Sequence, residues 1–401
     1  MQTTCGMTPY TNEKTAMITI KTTEALQAFC DHAKKFPFVT VDTEFLRERT
    51  YYSKLCLVQL AVTGDNEEDA VLVDPLVKGL DLAPLYDLFR DQNVVKVFHA
   101  ARQDLEIFYI QGGVIPTPLF DTQVAAMVCG FGEQVGYETL VRKIAKQSLD
   151  KTSRFTDWSR RPLTPAQETY ALADVTHLRM IYEYLDAEVK KANREKWVAE
   201  EMQVLMTPGT YVVEPENAWK RVKTRTSSGK FLAAVKELAA FREEYSQSRD
   251  IPRNRVYKDD AMLELASTKP KTPADLARSR LLLREARKGD IADGIIAAIN
   301  IASKYSPEQM PKVDGDRDKL QVNPALADML RVLLKAKSDN ANVAAKMIAS
   351  SAQLDMIAAG KRDVPALSGW RAEVFGDDAM RLCKGEIGLA VKGQKVDVIT
   401  L

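Results

Sequence analysis

The sequence has little of several patterns that mark common classes of protein. It contains only three histidines in 401 residues, so a Ser-His-Asp or Cys-His catalytic centre has little support. Its five cysteines lie far apart without a CxxC pair, which argues against a disulfide framework and against a thiolate zinc site. The phosphate-loop pattern GxxxxGK[ST] is also missing, which excludes a helicase motor of that type.

Long apolar segments are absent as well. No run approaches the length that spans a bilayer, and the first residues lack the basic start and apolar centre of a signal peptide. We therefore expect a cytoplasmic protein without a membrane partner. A hydrophobic content of 45% with 28% charged residues is typical of globular proteins, and 401 residues predict two or three domains.

The net charge of +1 hides an uneven distribution. The segment Trp219–Lys288 contains about 18 Lys and Arg residues against about 9 Asp and Glu residues. This segment therefore carries about +9, and the rest of the chain carries about −8. A basic block beside an acidic one favours polyanion binding in one place and cation-dependent chemistry in another, although basic helices are often merely solvated.

Strand and helix patterns alternate in the N-terminal half. Short β-branched and apolar runs predict strands at Met17–Ile20, Phe38–Phe45, Cys56–Val62, Ala70–Val73 and Val94–Phe98. Helical spacing predicts helices at 23–35, Leu82–Phe89, Ala101–Tyr109, Asp121–Val128, Tyr137–Lys146 and Thr164–Leu185. Three strands in quick succession indicate a meander. The predicted fold class is α/β, with a mixed sheet and covering helices.

Strand signals almost vanish beyond Thr207–Pro215, and short amphipathic helices follow. We expect two small all-α domains joined by a linker rich in Pro, Gly and charge. The ending EIGLAVKGQKVDVITL alternates like a strand, and its place in the fold is left open. The predicted boundaries are 1–16 (N-terminal extension), 17–190 (α/β domain), 191–226 (connecting helix and linker), 227–304 (first helical domain), 305–319 (linker), 320–383 (second helical domain) and 384–401 (C-terminal tail).

Two carboxylates in one predicted strand are the central observation. In VTVDTEF, Asp42 and Glu44 are two residues apart and therefore share a face of the strand. Neighbouring carboxylates in an apolar strand repel each other and are costly to desolvate, and a divalent cation removes that cost. An edge strand with a solvated acidic face explains the pair about equally well.

Three further oxygen-bearing side chains extend this pattern. Asp104 follows a predicted strand in the first turn of a helix, where open α/β sheets place functional groups, although an acid there also satisfies the helix dipole. Tyr170 and Asp174 are four residues apart and share a helix face. Four carboxylates suit phosphodiester hydrolysis with two Mg²⁺ or Mn²⁺ ions about 3.5–4 Å apart, and a tyrosine hydroxyl can orient the attacking water.

Five strings resemble, in order and at suitable separations, the successive motifs of ribonuclease D: VDTEFLRERTYY, FHAARQDLEIF, LFDTQ, LDKTSRFTDWSRRPLT and YALADV. That family belongs to the DEDD exonuclease superfamily, in the subclass with tyrosine in the last motif. The resemblance covers about 17–185 and implies a ribonuclease-H-like fold. It also implies that the metal ligands are Asp42 and Glu44, then Asp104, then Asp174, with Tyr170 beside the last and Asp42 bridging both metals.

The helical regions resemble the helicase-and-RNase-D C-terminal (HRDC) domain, a small nucleic-acid-binding module. The string FREEYSQSRDIPRNRVYKDDAMLELA carries the likeness in a first copy, and ALSGWRAEVFG carries it in a weaker second copy at about 324–382. The second copy lacks a comparable basic surplus, so whether it contacts RNA is left open.

Four residues are candidates for substrate contacts. His99 ends a predicted strand before Asp104, Arg47 and Arg49 follow the acidic strand and suit phosphates, and Tyr51 suits base stacking. Each has a plain alternative: a structural histidine, a solvated basic loop, or a tyrosine in core packing.

The sequence therefore predicts an enzyme, a metal-dependent 3′→5′ exoribonuclease acting on RNA with a free single-stranded 3′ end and releasing nucleoside 5′-monophosphates. The resemblance implies tRNA precursors as the substrate, and nothing in the sequence indicates an obligate protein partner. Two alternatives stay open: a DNA 3′→5′ exonuclease, since proofreading domains use the same acids, and a non-catalytic RNA-binding adaptor.

Overall fold

A mixed sheet organises the N-terminal part of the chain. The structure is a computed structural model that describes residues 18–64, 66–150, 152–226, 228–312 and 321–401; the predicted extension 1–16 and residues 313–319 of the predicted linker lie outside the described residues. Within the described part, the sheet order is β1-β4-β3-β2-β5-β6. These strands are β1 (Ile18–Ile20), β2 (Phe38–Leu46), β3 (Lys54–Ala61), β4 (Ala70–Val73), β5 (Val95–Phe98) and β6 (Leu119–Asp121).

Strand β2 lies in the middle of the sheet, antiparallel to β3 and parallel to β5. Strands β3 and β4 pair antiparallel, so the predicted meander is confirmed, and β1 joins β4 in parallel. Every residue of β3 after Lys54 is buried, which is typical of a strand covered on both faces. The predicted α/β class with a mixed sheet is confirmed.

Seven helices are named here for the described part of residues 18–206. They are α1 (Thr23–Ala33), α2 (Ala83–Arg90), α3 (Arg102–Gly112), α4 (Thr122–Val128), α5 (Tyr137–Leu140), α6 (Pro165–Lys191) and α7 (Glu195–Leu205). Helix α6 begins at a capping box, in which the Thr164 hydroxyl accepts from the Gln167 amide and Pro165 occupies the first turn. Its buried side packs on β2, β3 and β4, so α6 lies across the acidic strand.

A helical unit with its own core follows. Its helices are α8 (Gly229–Arg249), α9 (Arg253–Val256), α10 (Asp259–Thr268), α11 (Pro273–Leu276) and α12 (Gly289–Ser303). Leu238, Tyr257 and Leu265 are fully buried within it, and its apolar cluster is distinct from that of the sheet. We call residues 229–303 the first helical unit.

A second helical unit shares the core of the α/β domain. It contains α13 (Pro324–Ala341), α14 (Ala345–Ile348), α15 (Ser351–Ala358), α16 (Gly369–Arg371) and α17 (Asp377–Lys384), followed by a hairpin of β7 (Ile387–Lys392) and β8 (Lys395–Thr400). Leu330, Trp370 and Phe375 belong to the same apolar cluster as the sheet residues Val39 and Val97. The strand-like ending thus forms a hairpin on the second helical unit.

The two helical units repeat a local pattern. The long helices α8 and α13 end at left-handed residues, Asp250 with φ 50° and Asn342 with φ 48°. A four-residue helix and then a longer helix follow at equal distances in both units. Left-handed caps of this kind satisfy the last helical carbonyls, and their equal placement supports a diverged repeat.

Local details differ from the sequence prediction at two points. Residues 119–121 form β6, and Asp121 caps the next helix by accepting from the amides of Gln123 and Val124. The predicted helix at 137–146 is α-helical only to Leu140 and then continues as a π-helix that ends at Lys146 in the left-handed region. Among the described residues, no helix is both long and apolar enough to cross a membrane.

Candidate active site

Strand β2 and helix α6 bring three carboxylates together. Asp42, Glu44 and Asp174 each offer a carboxylate oxygen, and these oxygens all lie within 4.8 Å of one another. Asp42 and Glu44 share a face because they alternate with the buried Thr43. Since β2 is an inner strand of the sheet, the alternative of a solvated edge strand is wrong.

Asp104 approaches the same face from the start of α3. The chain turns after β5 at Ala100, which has a φ of 58°, and the Asp121 carboxylate accepts from the amides of Ala100 and Ala101 at 3.0 and 2.8 Å. The Thr43 hydroxyl then donates to the Asp104 carboxylate. Asp104 therefore borders the three-carboxylate group, and only 7% of its surface is exposed.

Helix α6 presents Tyr170 and Asp174 on one face, as their spacing predicts. The Tyr170 hydroxyl is hydrogen-bonded to the Asp174 side chain, and its ring lies 6.1 Å from the ring of the buried Trp158. The Tyr137 hydroxyl donates to the main-chain oxygen of Asp174 at 2.6 Å. This turn of α6 is thus fixed by contacts from two other segments.

A cavity of about 270 Å³ opens over these groups. The residues that line it include Asp42, His99, Tyr137, Arg154, Tyr170 and Asp174. Arg154 belongs to a loop that is anchored at Arg161, whose guanidinium pairs with both oxygens of Asp74 at 2.6 and 2.7 Å. Arg161 also donates to the carbonyl of Cys56, so the loop is held against β3.

The acids of this site are shifted toward their protonated forms. Burial, followed by the negative charges of the neighbouring acids, raises the pKa of Glu44 to about 10, and burial raises the pKa of Asp174 to about 7. Burial and a neighbouring carboxylate also raise the pKa of Asp42 and of Asp104 well above its usual range. An ionised cluster is therefore unfavourable without a cation, and this donor set fits a divalent metal.

The candidate substrate-contacting residues separate into two groups. His99 lies with the acids: it lines the cavity, and its Nδ1 is 3.0 Å from the Thr122 hydroxyl. Arg47, Arg49 and Tyr51 lie in the loop after β2, where Arg47 pairs with Glu106 at 2.9 Å and Arg49 is exposed.

Tyr51 contacts the first helical unit. Its hydroxyl donates to Glu243, and the guanidinium of Arg253 lies 4.7 Å from its ring centre. In the structure its partners are therefore polar side chains of the first helical unit, and base stacking by Tyr51 stays a prediction.

Three residues at the site were not singled out from the sequence. Arg154 lies inside the string LDKTSRFTDWSRRPLT, but no spacing rule connects a loop arginine to acids on a distant strand; Lys151 of that string lies outside the described residues. Tyr137 and Thr43 act through contacts with Asp174 and Asp104. Thr43 could have been found, because a buried hydroxyl between two strand carboxylates requires a partner.

Known proteins share this architecture. A family model described as 3′-5′ exonuclease matches residues 17–190, and one described as HRDC domain matches residues 231–299. Ribonuclease D of Jannaschia sp. is 64% identical over 381 residues, which cover 95% of this chain and 99% of that protein. Ribonuclease D of Nitrobacter hamburgensis is 48% identical over 381 residues, covering 94% of this chain and 98% of that protein.

A solved structure agrees with the sequence relatives. Escherichia coli RNase D, described as an exoribonuclease involved in structured RNA processing, superposes with a TM-score of 0.80 at 29% identity, covering 92% of this chain and 98% of that chain. Fold and site together define a 3′→5′ exonuclease that carries an HRDC module. The chain belongs to the ribonuclease D family, and its activity is that of a 3′→5′ exoribonuclease. The predicted membership of the ribonuclease D family is confirmed, and the non-catalytic adaptor is set aside.

Proposed function

We propose that the chain hydrolyses RNA one nucleotide at a time from a free single-stranded 3′ end and releases nucleoside 5′-monophosphates. The proposed substrates are tRNA precursors with 3′ extensions, met in the cytoplasm. The relative from Escherichia coli acts in structured RNA processing, which supports a folded RNA with an unpaired 3′ tail. The basic surplus of the segment Trp219–Lys288 supports the same kind of ligand.

The observation that carries the proposal is the group of carboxylate oxygens within 4.8 Å of one another. We assign Asp42, Glu44, Asp104 and Asp174 as the residues that hold two divalent cations, Mg²⁺ or Mn²⁺. Bound there, such cations supply Lewis acidity toward the phosphate and lower the pKa of water. The raised pKa of each acid supports this assignment, because cations favour the ionised carboxylates.

Tyr170 orients the attacking water in this proposal. Burial, and then the charge of Asp174, raises the pKa of Tyr170 above its usual range, so the phenol is neutral at physiological pH. A neutral hydroxyl both donates and accepts a hydrogen bond, which suits a group that positions water beside Asp174.

Arg154 and His99 face the substrate in this proposal. Arg154 lines the cavity, and its positive charge partly opposes the rise that burial causes in the pKa of Glu44 and of Asp174. A guanidinium at this place suits the phosphate next to the scissile bond. His99 lines the same cavity as Asp42 and Asp174, and burial lowers its pKa, so it contacts substrate as a neutral ring.

The substitution Asp42→Asn tests the site. It keeps the side chain's size and removes the charge, so turnover should fall more than about 100-fold while RNA binding is largely retained. The rate is measured on a 3′-extended tRNA resolved on a gel, with and without Mg²⁺. The matched variant Asp87→Asn, on the exposed side of α2, should cleave at the rate of the unchanged protein. Near-normal cleavage by Asp42→Asn would contradict the assignment of Asp42 as a metal ligand.

The substitution Tyr170→Phe tests the role of the hydroxyl. Single-turnover hydrolysis should slow by about 10²- to 10⁴-fold, and metal affinity should change much less. An unchanged single-turnover rate would remove Tyr170 from the mechanism.

The remaining alternative substrate is DNA. Parallel assays on RNA and DNA strands of the same sequence decide between them, and a faster rate on DNA would contradict the proposed substrate.

We also propose that residues 324–382 are a second, divergent HRDC copy. The equal placement of the left-handed caps Asp250 and Asn342 supports this. Its docking on the α/β core suits a structural role.

A further inference from the structure

A second cavity, of about 410 Å³, lies between the first helical unit and the segment that precedes it, away from the acidic site. It opens between the 3-10 segment Pro215–Arg221, helix α8 and the turns around α9. The lining residues include four cationic side chains and two carboxylates: Arg221, Arg242, Arg253, Lys258, Glu243 and Asp259. We call this cavity the basic pocket.

The two carboxylates of the basic pocket are already paired. Glu243 is 1% exposed, and its carboxylate accepts hydrogen bonds from Nε and Nη2 of Arg253, both at 2.5 Å. Asp259 accepts from Arg242 at 2.7 Å. Among the described residues, Arg221 and Lys258 form no ion pair, so the pocket carries two cations without an internal counter-charge.

Arg242 is a buried cation with one unsatisfied donor. It is 7% exposed, and its Nε is buried without a hydrogen-bond partner in the described chain. A buried guanidinium is costly unless its donors are satisfied. Lys258 is the N-cap of α10, a ten-residue helix whose first turn carries Asp259 and Asp260.

The second helical unit lacks this chemistry. When the two units are aligned on their caps Asp250 and Asn342, the positions of Arg242, Arg253 and Lys258 fall on Leu334, Ala345 and Ser350. The fold around these positions is the same turn between two helices. The turn therefore forms without these cations. In the first unit Arg253 also serves the contact with Tyr51, and Arg242 pairs with Asp259. Lys258 forms no ion pair among the described residues, and its position points to a ligand.

We propose that the basic pocket binds a phosphate group. The cations suit a tetrahedral dianion or diester, since arginine forks match phosphate oxygens. The phosphate comes from the backbone of the bound RNA or from a free phosphate compound. The pocket lies beside the contact between Arg253 and Tyr51, which joins the first helical unit to the loop after the acidic strand. The assignment of this phosphate to RNA rests on the proposed function, whereas the existence of a phosphate site does not.

The double variant Arg221→Gln/Lys258→Ser removes the two unpaired cations. Lys258 is the N-cap of α10, where serine is a preferred residue, so the unfolding temperature should stay equal or rise. The matched control is Lys223→Gln/Arg255→Gln, which removes the same charge from exposed positions nearby that do not line the pocket.

Two binding measurements, both in EDTA, compare these full-length variants. One measures the fluorescence anisotropy of an RNA hairpin with a single-stranded 3′ tail, and the other measures calorimetric binding of inorganic phosphate at constant ionic strength. The pocket variant should bind RNA roughly tenfold more weakly than the control variant, and it should lose the phosphate signal. Because neither assay involves cleavage, a failure of the Asp42→Asn test leaves both readouts intact.

The outcomes separate the sources of phosphate. A selective loss of RNA affinity assigns the pocket to the RNA backbone. A loss of inorganic phosphate binding with equal RNA affinity in both variants assigns it to a free phosphate compound. Equal behaviour of the pocket and control variants in both assays overturns the proposal.

Discussion

The two helical units meet the α/β domain through equivalent residues but with different chemistry. In the first unit, the cap Asp250 accepts from the amides of Tyr51 and Tyr52 at 3.0 and 2.9 Å. In the second, the cap Asn342 donates to the carbonyl of Cys129 at 3.4 Å. Around the first cap the contact is a network of polar side chains, whereas around the second the apolar core of the sheet continues into the unit.

The first helical unit is therefore attached to the α/β domain mainly by polar contacts, whereas the second helical unit shares its apolar core. Apolar burial contributes about 25 cal/mol per Å² and makes unfolding of the joined parts cooperative. A polar contact contributes much less net free energy, since water replaces it on separation. We therefore expect the second unit to unfold with the α/β domain and the first unit to unfold separately. The first unit is thus the one attached weakly enough to adjust to a bound polyanion.

The largest expected effect is that of Trp370→Ala. Trp370 is 1% exposed, stacks on Trp197 at 4.8 Å, and donates from Nε1 to Glu201 at 2.9 Å. Its truncation should lower the free energy of unfolding by about 3–5 kcal/mol, measured by denaturant titration. The transition that moves should be the one that also reports loss of nuclease activity.

Leu238→Ala in the first unit is the matched control. It should shift only the transition of that unit, since Leu238 belongs to the separate apolar cluster. A single transition that responds equally to both substitutions would break the comparison.

The next effect concerns how the stability of the α/β domain depends on pH and on a bound divalent metal. The pKa of Asp174 rises to about 7 and that of Glu44 to about 10 in the folded, metal-free chain, against about 4 for unfolded acids. The folded state therefore holds more protons between pH ~4 and these raised values, so the metal-free protein loses stability as pH rises from ~4 to ~7 for Asp174 and on to ~10 for Glu44. Mn²⁺ should restore it, by about 2.7 kcal/mol at a hundredfold excess over its Kd.

The stabilisation by Mn²⁺ should accordingly be larger at pH 8 than at pH 6, measured by calorimetry. Only the transition of the α/β domain with the second unit should shift, because the acids lie there. Asp174→Asn should reduce the shift. A Mn²⁺ effect on the first unit's transition, or one that grows on acidification, would contradict this account.

A smaller effect is expected for Tyr51→Phe. Burial raises the pKa of Tyr51 to about 12, so its hydroxyl is a donor at neutral pH, and it also accepts from Gln247 and Arg253 at 3.1 and 2.9 Å. Its loss should weaken the attachment by about 1–3 kcal/mol. Proteolysis between α7 and α8 should become faster, with the nuclease transition unchanged.

Tyr52→Phe is the matched control for that variant. In the described chain the Tyr52 hydroxyl has no hydrogen bond, and its ring lies 4.7 Å from that of Tyr51. The digestion rate of this variant should equal that of the unchanged protein. Equal acceleration in both variants would mean that the Tyr51 hydroxyl does not hold the unit.

Much of the fold could be predicted because local patterns agreed with the tertiary structure. The β-branched runs of 38–45 and 56–62 became β2 and β3, and the helical spacing predicted for Thr164–Leu185 became α6, with Thr164 as its cap. Three residues were too few to show β6 in the sequence, since its strand character comes from pairing with β5. The π-helix after Leu140 likewise has no sequence signature of its own.

The candidate site also contains residues that the sequence predicted and residues that it did not. The pairs Asp42 and Glu44, and Tyr170 and Asp174, follow from strand and helix spacing, because each pair lies within one element. Arg154 enters the site from a loop held by Arg161 and Asp74, two residues far apart in the chain. No local rule reports such a placement. The basic pocket was visible from the sequence only as a charge surplus, because its cations come from three separate segments.

The smallest expected effect is that of Lys346→Ala. Lys346 joins the second unit to the α/β domain through Glu133 at 2.5 Å, but 77% of its side chain is exposed. Exposed ion pairs contribute about 0–1 kcal/mol. The substitution should therefore lower the free energy of unfolding by less than about 1 kcal/mol, at low and at high salt concentration alike. A loss comparable to that of Trp370→Ala would show that charge, rather than the shared apolar core, holds the second unit in place. Both helical units would then be held to the α/β domain by polar contacts, and they would differ only in the strength of those contacts.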